Sequence, residues 1–210
     1  MSLNIRGVVG PEKSTWVKRL KKDFKFWILA LQETHQVGIS EEFWRKFWDR
    51  SSLSAVSVDA VGRSGGLAFL WDPDLFKVDK VLKGQRFIVV SGFMCGVEDR
   101  INFLNIYAPN DTGERTRFWG ILEDIRSQLD GMCLMAGDFN EVRCPEDRLN
   151  SAFDKNAAAN FNDSILRMGL LEYEMTGGKF TYVSSNEEIK MSKLDRILVC
   201  QKVLSCWPYA

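Results

Sequence analysis

The apolar runs GLAFLW (Gly66–Trp71), RFIVV (Arg86–Val90) and INFLNIY (Ile101–Tyr107) fall in one segment that begins near Ser54 and carries no helical pattern. Each run is short and is bounded by residues that favour turns, which is typical of β-strands. Strands that follow one another without helices pair most simply as an antiparallel meander, because parallel pairing needs a long crossover. The segment therefore predicts a mostly antiparallel sheet.

Helices and further strands are predicted on both sides of this segment. The other predicted strands are Lys25–Leu31, Met132–Ala136 and Leu194–Cys200. The predicted helices are Ser14–Phe24, Ser40–Asp49, Thr112–Leu129 and Asp154–Met168, where apolar residues recur at helical spacing. This order fits a four-layer α/β sandwich, in which two mostly antiparallel sheets pack face to face with helices outside.

Composition narrows the class of protein. A chain of 210 residues, 45% of them hydrophobic, is long enough for one well-buried domain, and we predict a single domain over residues 1–210. Its 28 Lys and Arg balance 28 Asp and Glu, which weighs against a tight, sequence-independent DNA-binding protein. The five cysteines show no CxxC spacing, and no run resembles a signal peptide or a membrane span. We expect a reduced, intracellular monomer in the nucleus or cytoplasm, not a secreted or membrane protein.

Acids and amides follow apolar runs at five points. The islands are SLN with Asn4, LQETH with Glu33, NIYAPN at Asn105–Asn110, AGDFNE with Asp138 and Asn140, and SKLDRILV with Asp195. Any one carboxylate at the end of a strand is usually a turn former. Their joint occurrence favours a site, since strand ends in stacked sheets can collect distant residues at one rim.

Hydrolysis of a phosphodiester would use these residue types. A hard divalent cation prefers oxygen ligands, and the Glu33 carboxylate with the Asn4 amide oxygen suits Mg²⁺. The Asp138 carboxylate could orient or deprotonate water, while Asn140 and Tyr107 could donate to phosphate oxygens. These residue types are those that a metal-assisted phosphodiesterase would use.

The islands resemble the endonuclease/exonuclease/phosphatase (DNase I-like) superfamily in order and approximate spacing over essentially the whole chain. Finer motifs resemble the endonuclease domain of plant LINE-type (non-LTR) retrotransposons. These are NIRG (Asn4–Gly7), RSGGLAFLWDP (Arg63–Pro73), NIYAPND (Asn105–Asp111), GDFNEV (Gly137–Val142), GGKFTY (Gly177–Tyr182) and SKLDRILV (Ser192–Val199).

The resemblance implies a Mg²⁺-dependent hydrolase that nicks DNA, with Mn²⁺ as a possible substitute. In an intact element a reverse transcriptase on the same polypeptide would extend the exposed 3′ end. By motif matching, Glu33 would hold the metal with Asn4 nearby, and Tyr107 would contact the phosphate. Asp138 and Asn140 would handle the water and the phosphate, and Asp195 would orient a catalytic histidine.

The sequence departs from the family pattern near its ends. The family places a Ser-Asp-His element after the strand that holds the LDR motif. The 210 residues given contain only one histidine, His35, which lies in the Glu33 island. We expect a domain truncated at the C-terminus, lacking the last strand of one sheet, and short at the N-terminus. Without the histidine a large loss of rate is expected, because that side chain acts mainly in the transition state.

Two alternatives stay open. One is a catalytically inactive retroelement remnant, at most a weak nucleic-acid-binding module. The other keeps the fold and acts on a small phosphoester.

Two further features have more than one interpretation. We interpret the basic cluster Lys18–Lys25 as a solvated helix face and not as a phosphate contact. We interpret the spacing of Trp44, Phe47 and Trp48 as core packing and not as base stacking.

Overall fold

The computed structural model describes residues 1–62, 64–175, 177–184 and 188–208. The chain divides into two compact units, Met1–Tyr107 and Ala108–Ala210. Arg63, which begins the RSGGLAFLWDP motif, lies outside the described residues. In the part of the chain that the structure describes, no helix is both long enough and apolar enough to cross a membrane.

The first unit contains the predicted meander. Its elements are β1 (Ser2–Asn4), α1 (Pro11–Phe24), β2 (Ile28–Gln32), α2 (Glu41–Trp44) with a 3-10 turn at Arg45–Phe47, β3 (Ser54–Val61), β4 (Ser64–Trp71), β5 (Phe76–Gly84), β6 (Phe87–Met94) and β7 (Ile101–Tyr107). The strands β1-β2-β4-β3 form one sheet, and β5, β6 and β7 pair in chain order. Only the β1–β2 pairing among these is parallel, which confirms the predicted antiparallel character.

Large apolar side chains fill both faces of the β1-β2-β4-β3 sheet. Towards β7, the rings of Phe69 and Phe103 lie 6.1 Å apart, and Phe103 also contacts Phe76. On the opposite face, residues of α1, α2 and the 3-10 turn join the buried cluster with Leu29 and Leu31. Trp44, Phe47 and Trp48 belong to this cluster and are 1% exposed, so the prediction of core packing is confirmed.

The described part of the second unit combines three α-helices with two antiparallel sheets. Its elements are α3 (Thr112–Ser127), β8 (Met132–Asp138), a 3-10 turn at Pro145–Asp147, β9 (Arg148–Leu149), α4 (Lys155–Arg167), β10 (Leu170–Glu172), β11 (Tyr182–Val183), β12 (Met191–Ser192), β13 (Asp195–Cys200) and α5 (Gln201–Cys206). The strands β10-β13-β8 form the main sheet, and β11-β12-β9 form a small one. Trp119 of α3 stacks on Phe161 of α4 at 4.7 Å.

Several predicted boundaries were wrong for identifiable reasons. The strand predicted from Lys25 begins at Ile28, because α1 continues to Phe24 and Lys25 then takes a left-handed conformation with φ of 52°. The helix predicted over Ser40–Asp49 is much shorter. It ends because Trp48 is extended, and its indole N–H donates to Ser51 and Ser52, which holds the chain in a turn.

Candidate active site

Asn4 and Glu33 are brought together by the parallel pairing of β1 with β2. In that register Asn4 lies opposite Gln32, so Glu33 follows at the same end of the sheet. The amide nitrogen of Asn4 donates to Oε1 of Glu33 at 2.9 Å, and the Glu33 side chain is 20% exposed. A carboxylate and an amide that are 29 residues apart therefore share one polar corner of the first unit.

The loop after β2 is fixed by backbone hydrogen bonds on both sides. On one side Gly7 N–H donates to Glu33 O, and on the other the N–H groups of Thr34 and His35 donate to the carbonyls of Gly66 and Gly65. The last contacts need glycine, since a Cβ at Gly66 would lie 2.3 Å from Thr34 Oγ1. The backbone that carries the Glu33 side chain is therefore held in place by hydrogen bonds on both sides.

A buried amide network, which the sequence did not reveal as such, supports this corner. Asn105 is fully buried and donates to the carbonyls of Leu31 and Ala68, at 3.0 and 2.9 Å. Gln32 donates in turn to Asn105 Oδ1 at 2.6 Å. The network joins β7 to β2 and β4 and includes Gln32, the residue before Glu33.

Tyr107 ends β7 in the same unit. It is 4% exposed, its backbone N–H donates to Arg86 O, and the Arg86 guanidinium lies 5.3 Å from its ring centre. A Cβ at Gly65 would lie 4.0 Å from Tyr107 Cε1, and Gly65 also pairs with His35. The ring therefore packs beside the strand that clamps the Glu33 loop.

Asp138 and Asp195 face each other in the second unit. They are direct partners in the antiparallel pairing of β8 with β13, which places both carboxylates on one face with Cβ atoms about 5 Å apart. Asp138 is 6% exposed, and its Oδ1 accepts from Asn140 N–H at 2.9 Å. Two carboxylates that are distant in sequence therefore meet at one end of the sheet.

Asn140 sits in the turn that leaves β8. Its φ of 51° is left-handed, a conformation that asparagine tolerates better than most residues. Its side-chain amide donates to Ala108 O at 2.8 Å, while Ala108 N–H donates to Asp138 O. These contacts hold Asn140 beside Asp138.

Two further residues of the second unit hold its strand ends in place. The Thr181 hydroxyl accepts from the N–H groups of Leu194 and Asp195, both at 3.0 Å, and so fixes the start of β13. Glu141 is 2% exposed and pairs with Arg115 at 2.8 Å, which ties the GDFNEV turn to the start of α3. Thr181 belongs to the GGKFTY motif and Glu141 to the GDFNEV motif, and neither residue was predicted to have a role.

A buried ion-pair network surrounds Arg196 of β13. The Arg196 side chain is 1% exposed and pairs with Asp147 and Glu172, while Arg143 and Lys193 also bind Glu172. Burial alone would raise the pKa of Glu172, but hydrogen bonds from Lys193 and Arg143 and the charge of Arg196 outweigh it and lower that pKa. Arg143 and Asp147 are therefore engaged inside the second unit.

The polar corner of the first unit fits a magnesium site. Mg²⁺ keeps several water ligands and is commonly held by one or two carboxylates, so the Glu33 carboxylate and the Asn4 amide form a suitable donor set. Among the described residues, no cluster of three or more His, Cys, Asp and Glu side chains is arranged to hold a metal. The Asn4 and Glu33 side chains offer oxygen atoms, which hard cations prefer as ligands.

The six predicted site residues form two groups. Asn4, Glu33 and Tyr107 belong to the first unit, and Asp138, Asn140 and Asp195 belong to the second. Within each unit the structure places the predicted partners at strand ends that lie side by side, at β1 and β2 in one and at β8 and β13 in the other. Assembly of all six at one rim stays a prediction.

Comparison with known proteins identifies the fold. The chain is similar to the AP endonuclease LMAP from Leishmania major, with a TM-score of 0.75 and 14% identity over 97% of this chain and 79% of that one. It is also similar to the endonuclease domain of TRAS1, a telomere-specific non-LTR retrotransposon, with a TM-score of 0.65 and 14% identity over 97% and 85% of the two chains. The predicted DNase I-like α/β fold class is thereby confirmed.

Sequence comparison gives the family. The chain is 23% identical to the Transposon TX1 uncharacterized 149 kDa protein of Xenopus laevis over 97% of its own length, and it spans 16% of that relative. The sequence profile of the endonuclease/exonuclease/phosphatase family matches residues 1–210. The chain belongs to the endonuclease/exonuclease/phosphatase family.

Proposed function

We propose that this domain is a divalent-cation-dependent endonuclease that cuts one strand of DNA by hydrolysis, and that it serves a non-LTR retrotransposon. The observation that carries the proposal is the pairing of distant acids and amides within each unit: Asn4 with Glu33, and Asp138 with Asn140 and Asp195. The fold likeness to an AP endonuclease and to a retrotransposon endonuclease domain supports the choice of DNA as substrate.

In this proposal Glu33 and Asn4 hold Mg²⁺, which would stabilise charge that develops on the phosphate. Asp138 orients or deprotonates the attacking water, since its carboxylate is fixed by Asn140 N–H. Because an amide nitrogen carries two hydrogens, the contact of Asn140 with Ala108 is compatible with donation to a phosphate oxygen. The Tyr107 hydroxyl is a second proposed phosphate contact.

The proposed role of Asp195 depends on a histidine, and the only histidine among these 210 residues, His35, contacts Glu33. We therefore propose that these residues by themselves cut DNA slowly. In an intact element, a reverse transcriptase on the same polypeptide would use the nick.

A supercoiled-plasmid nicking assay tests the proposal. We expect slow, Mg²⁺-dependent relaxation, reduced at least about 100-fold in the variants Glu33→Gln and Asp138→Asn, because each loses a charge the reaction needs. Asp59→Asn, an exposed carboxylate of the first unit, is the matched control and should cut at the rate of the unchanged protein.

The alternatives appear as distinct outcomes of this assay. Relaxation that is equal in the Glu33→Gln variant would come from a contaminating nuclease and would contradict the proposal. Absence of nicking together with hydrolysis of inositol phosphates would point to a small phosphoester as substrate. Absence of both reactions would indicate an inactive remnant.

A further inference from the structure

His35 lies next to the proposed cation site. Its Nε2 atom is 3.4 Å from Oε2 of Glu33, and its side chain is 35% exposed, so an ion from solvent can reach it. The other carboxylate oxygen, Oε1, accepts from Asn4. Glu33 therefore directs one oxygen to the amide and the other to the imidazole.

The backbone conformation of Glu33 and His35 brings their two side chains together. Glu33 and His35 have φ values of 55° and 54°, in the left-handed region that L-residues seldom adopt. Such strained conformations persist only when the surrounding structure imposes them. Here Thr34, which is 1% exposed, is held between Val8 and Gly66 by backbone hydrogen bonds, so the flanking side chains are fixed in direction.

The imidazole is also seated against the loop that follows Asn4. A Cβ at Gly7 would lie 3.6 Å from His35 Nδ1, so the ring lies beside this glycine. The Lys13 ammonium fixes that backbone by donating to the carbonyls of Ile5 and Gly7, both at 2.8 Å. Nδ1 therefore faces the protein, and Nε2 faces Glu33.

From this geometry we propose that His35 Nε2 is a ligand of the same divalent cation as Glu33 Oε2 and that it makes the site prefer Mn²⁺ to Mg²⁺. The inference rests on the proposed function, which places the cation at Glu33. Neighbouring ligands of an octahedral cation with bonds of about 2.1 Å lie about 3 Å apart, close to the separation of these two atoms. Imidazole binds later first-row metals better than it binds Mg²⁺, so the preference follows from the ligand.

Spectroscopy of bound Mn²⁺ tests the inference directly, because the chain has one histidine. The full chain, free of any tag, is titrated with Mn²⁺ and examined by electron spin-echo envelope modulation. We expect modulation from a coordinated imidazole nitrogen that changes when histidine is labelled with ¹⁵N. In His35→Asn, a residue that tolerates the left-handed backbone, the modulation should vanish, and Mn²⁺ should bind about tenfold more weakly.

Competition with Mg²⁺ provides the matched measurement. Mg²⁺ affinity should change less than about twofold in His35→Asn, and Gln36→Ala should change neither affinity. If Mn²⁺ binding depends on Glu33 but shows no nitrogen modulation, the role of His35 as a ligand is overturned and the cation site at Glu33 is not. Mn²⁺ binding that is unchanged in Glu33→Gln would overturn the cation site of the proposed function as well.

Discussion

At the scale of single residues, the buried amide of Asn105 links three strands of the first unit. Its side chain satisfies the carbonyls of Leu31 and Ala68 and accepts from Gln32. Replacement by alanine would leave these buried groups without partners, at about 1–3 kcal/mol for each. We expect Asn105→Ala to lower the free energy of unfolding by about 3 kcal/mol, measured by urea denaturation.

Asn160, an exposed asparagine of α4, is the matched control for this variant. Asn160→Ala should change the free energy of unfolding by less than about 0.5 kcal/mol. A loss below about 1 kcal/mol in Asn105→Ala would show that water or a relaxed neighbour replaces the amide.

Some residues of the site could be predicted from the sequence and others could not. Glu33 and Asp138 could be predicted as site candidates, because a carboxylate at the end of an apolar run is visible in the sequence. The role of Asn105 could not, since its partner Gln32 is 73 positions away and only the register of the strands brings them together. Likewise, no local pattern shows that Glu141 is neutralised by Arg115.

At the scale of elements, Arg196 fastens β13 to β10 and to the turn that precedes β9. Removing one partner from a buried ion pair leaves an uncompensated charge, which costs about 3–5 kcal/mol. We expect Arg196→Met to lower the free energy of unfolding by that amount in chemical denaturation. Arg167→Met, which breaks the exposed pair with Glu123, should cost less than about 1 kcal/mol. Equal losses in the two variants would contradict a structural role for the network.

The same network makes stability depend on pH. Asp147 and Glu172 have pKa values below their ordinary ones: burial acts to raise them, but cationic and N–H partners outweigh it. Because the folded state binds protons less readily than the unfolded state, the stabilisation is present above pH about 4 and is lost as pH falls further. Denaturation at stepped pH should show this loss, with a weaker slope in Arg196→Met. An identical slope in both proteins would place the titrating groups elsewhere.

The elements themselves were predictable where local signals agree. The helices α3 and α4 begin within one residue of the predicted positions, because Asp111 and Asp154 cap them by accepting from backbone N–H groups. Strands of two or three residues, such as β9 and β11, carry no periodicity and were not predicted. The partner of β9 is β12, which pairs Leu149 with Met191, so only the folded chain defines that strand.

At the scale of the whole molecule, charge limits how the protein would bind the DNA of the proposed function. The chain carries equal numbers of cationic and anionic side chains, and part of its basic cluster is engaged internally. Lys21 is buried, lies 4.0 Å from the Trp48 ring centre and pairs with Asp49. Lys18, Arg19, Lys22 and Lys25 stay exposed, and Arg19 pairs with Asp23 of the same helix.

Non-specific affinity for duplex DNA should therefore depend only weakly on salt. Each phosphate contact adds about −0.9 to the slope of log K against log salt concentration, and we expect a slope between about −2 and −4 from fluorescence anisotropy. The double variant Lys18→Glu/Lys22→Glu should weaken binding less than about threefold, because a solvated helix face makes no lasting phosphate contact. A slope steeper than about −6, or a tenfold loss in the double variant, would instead identify α1 as part of a DNA-binding surface.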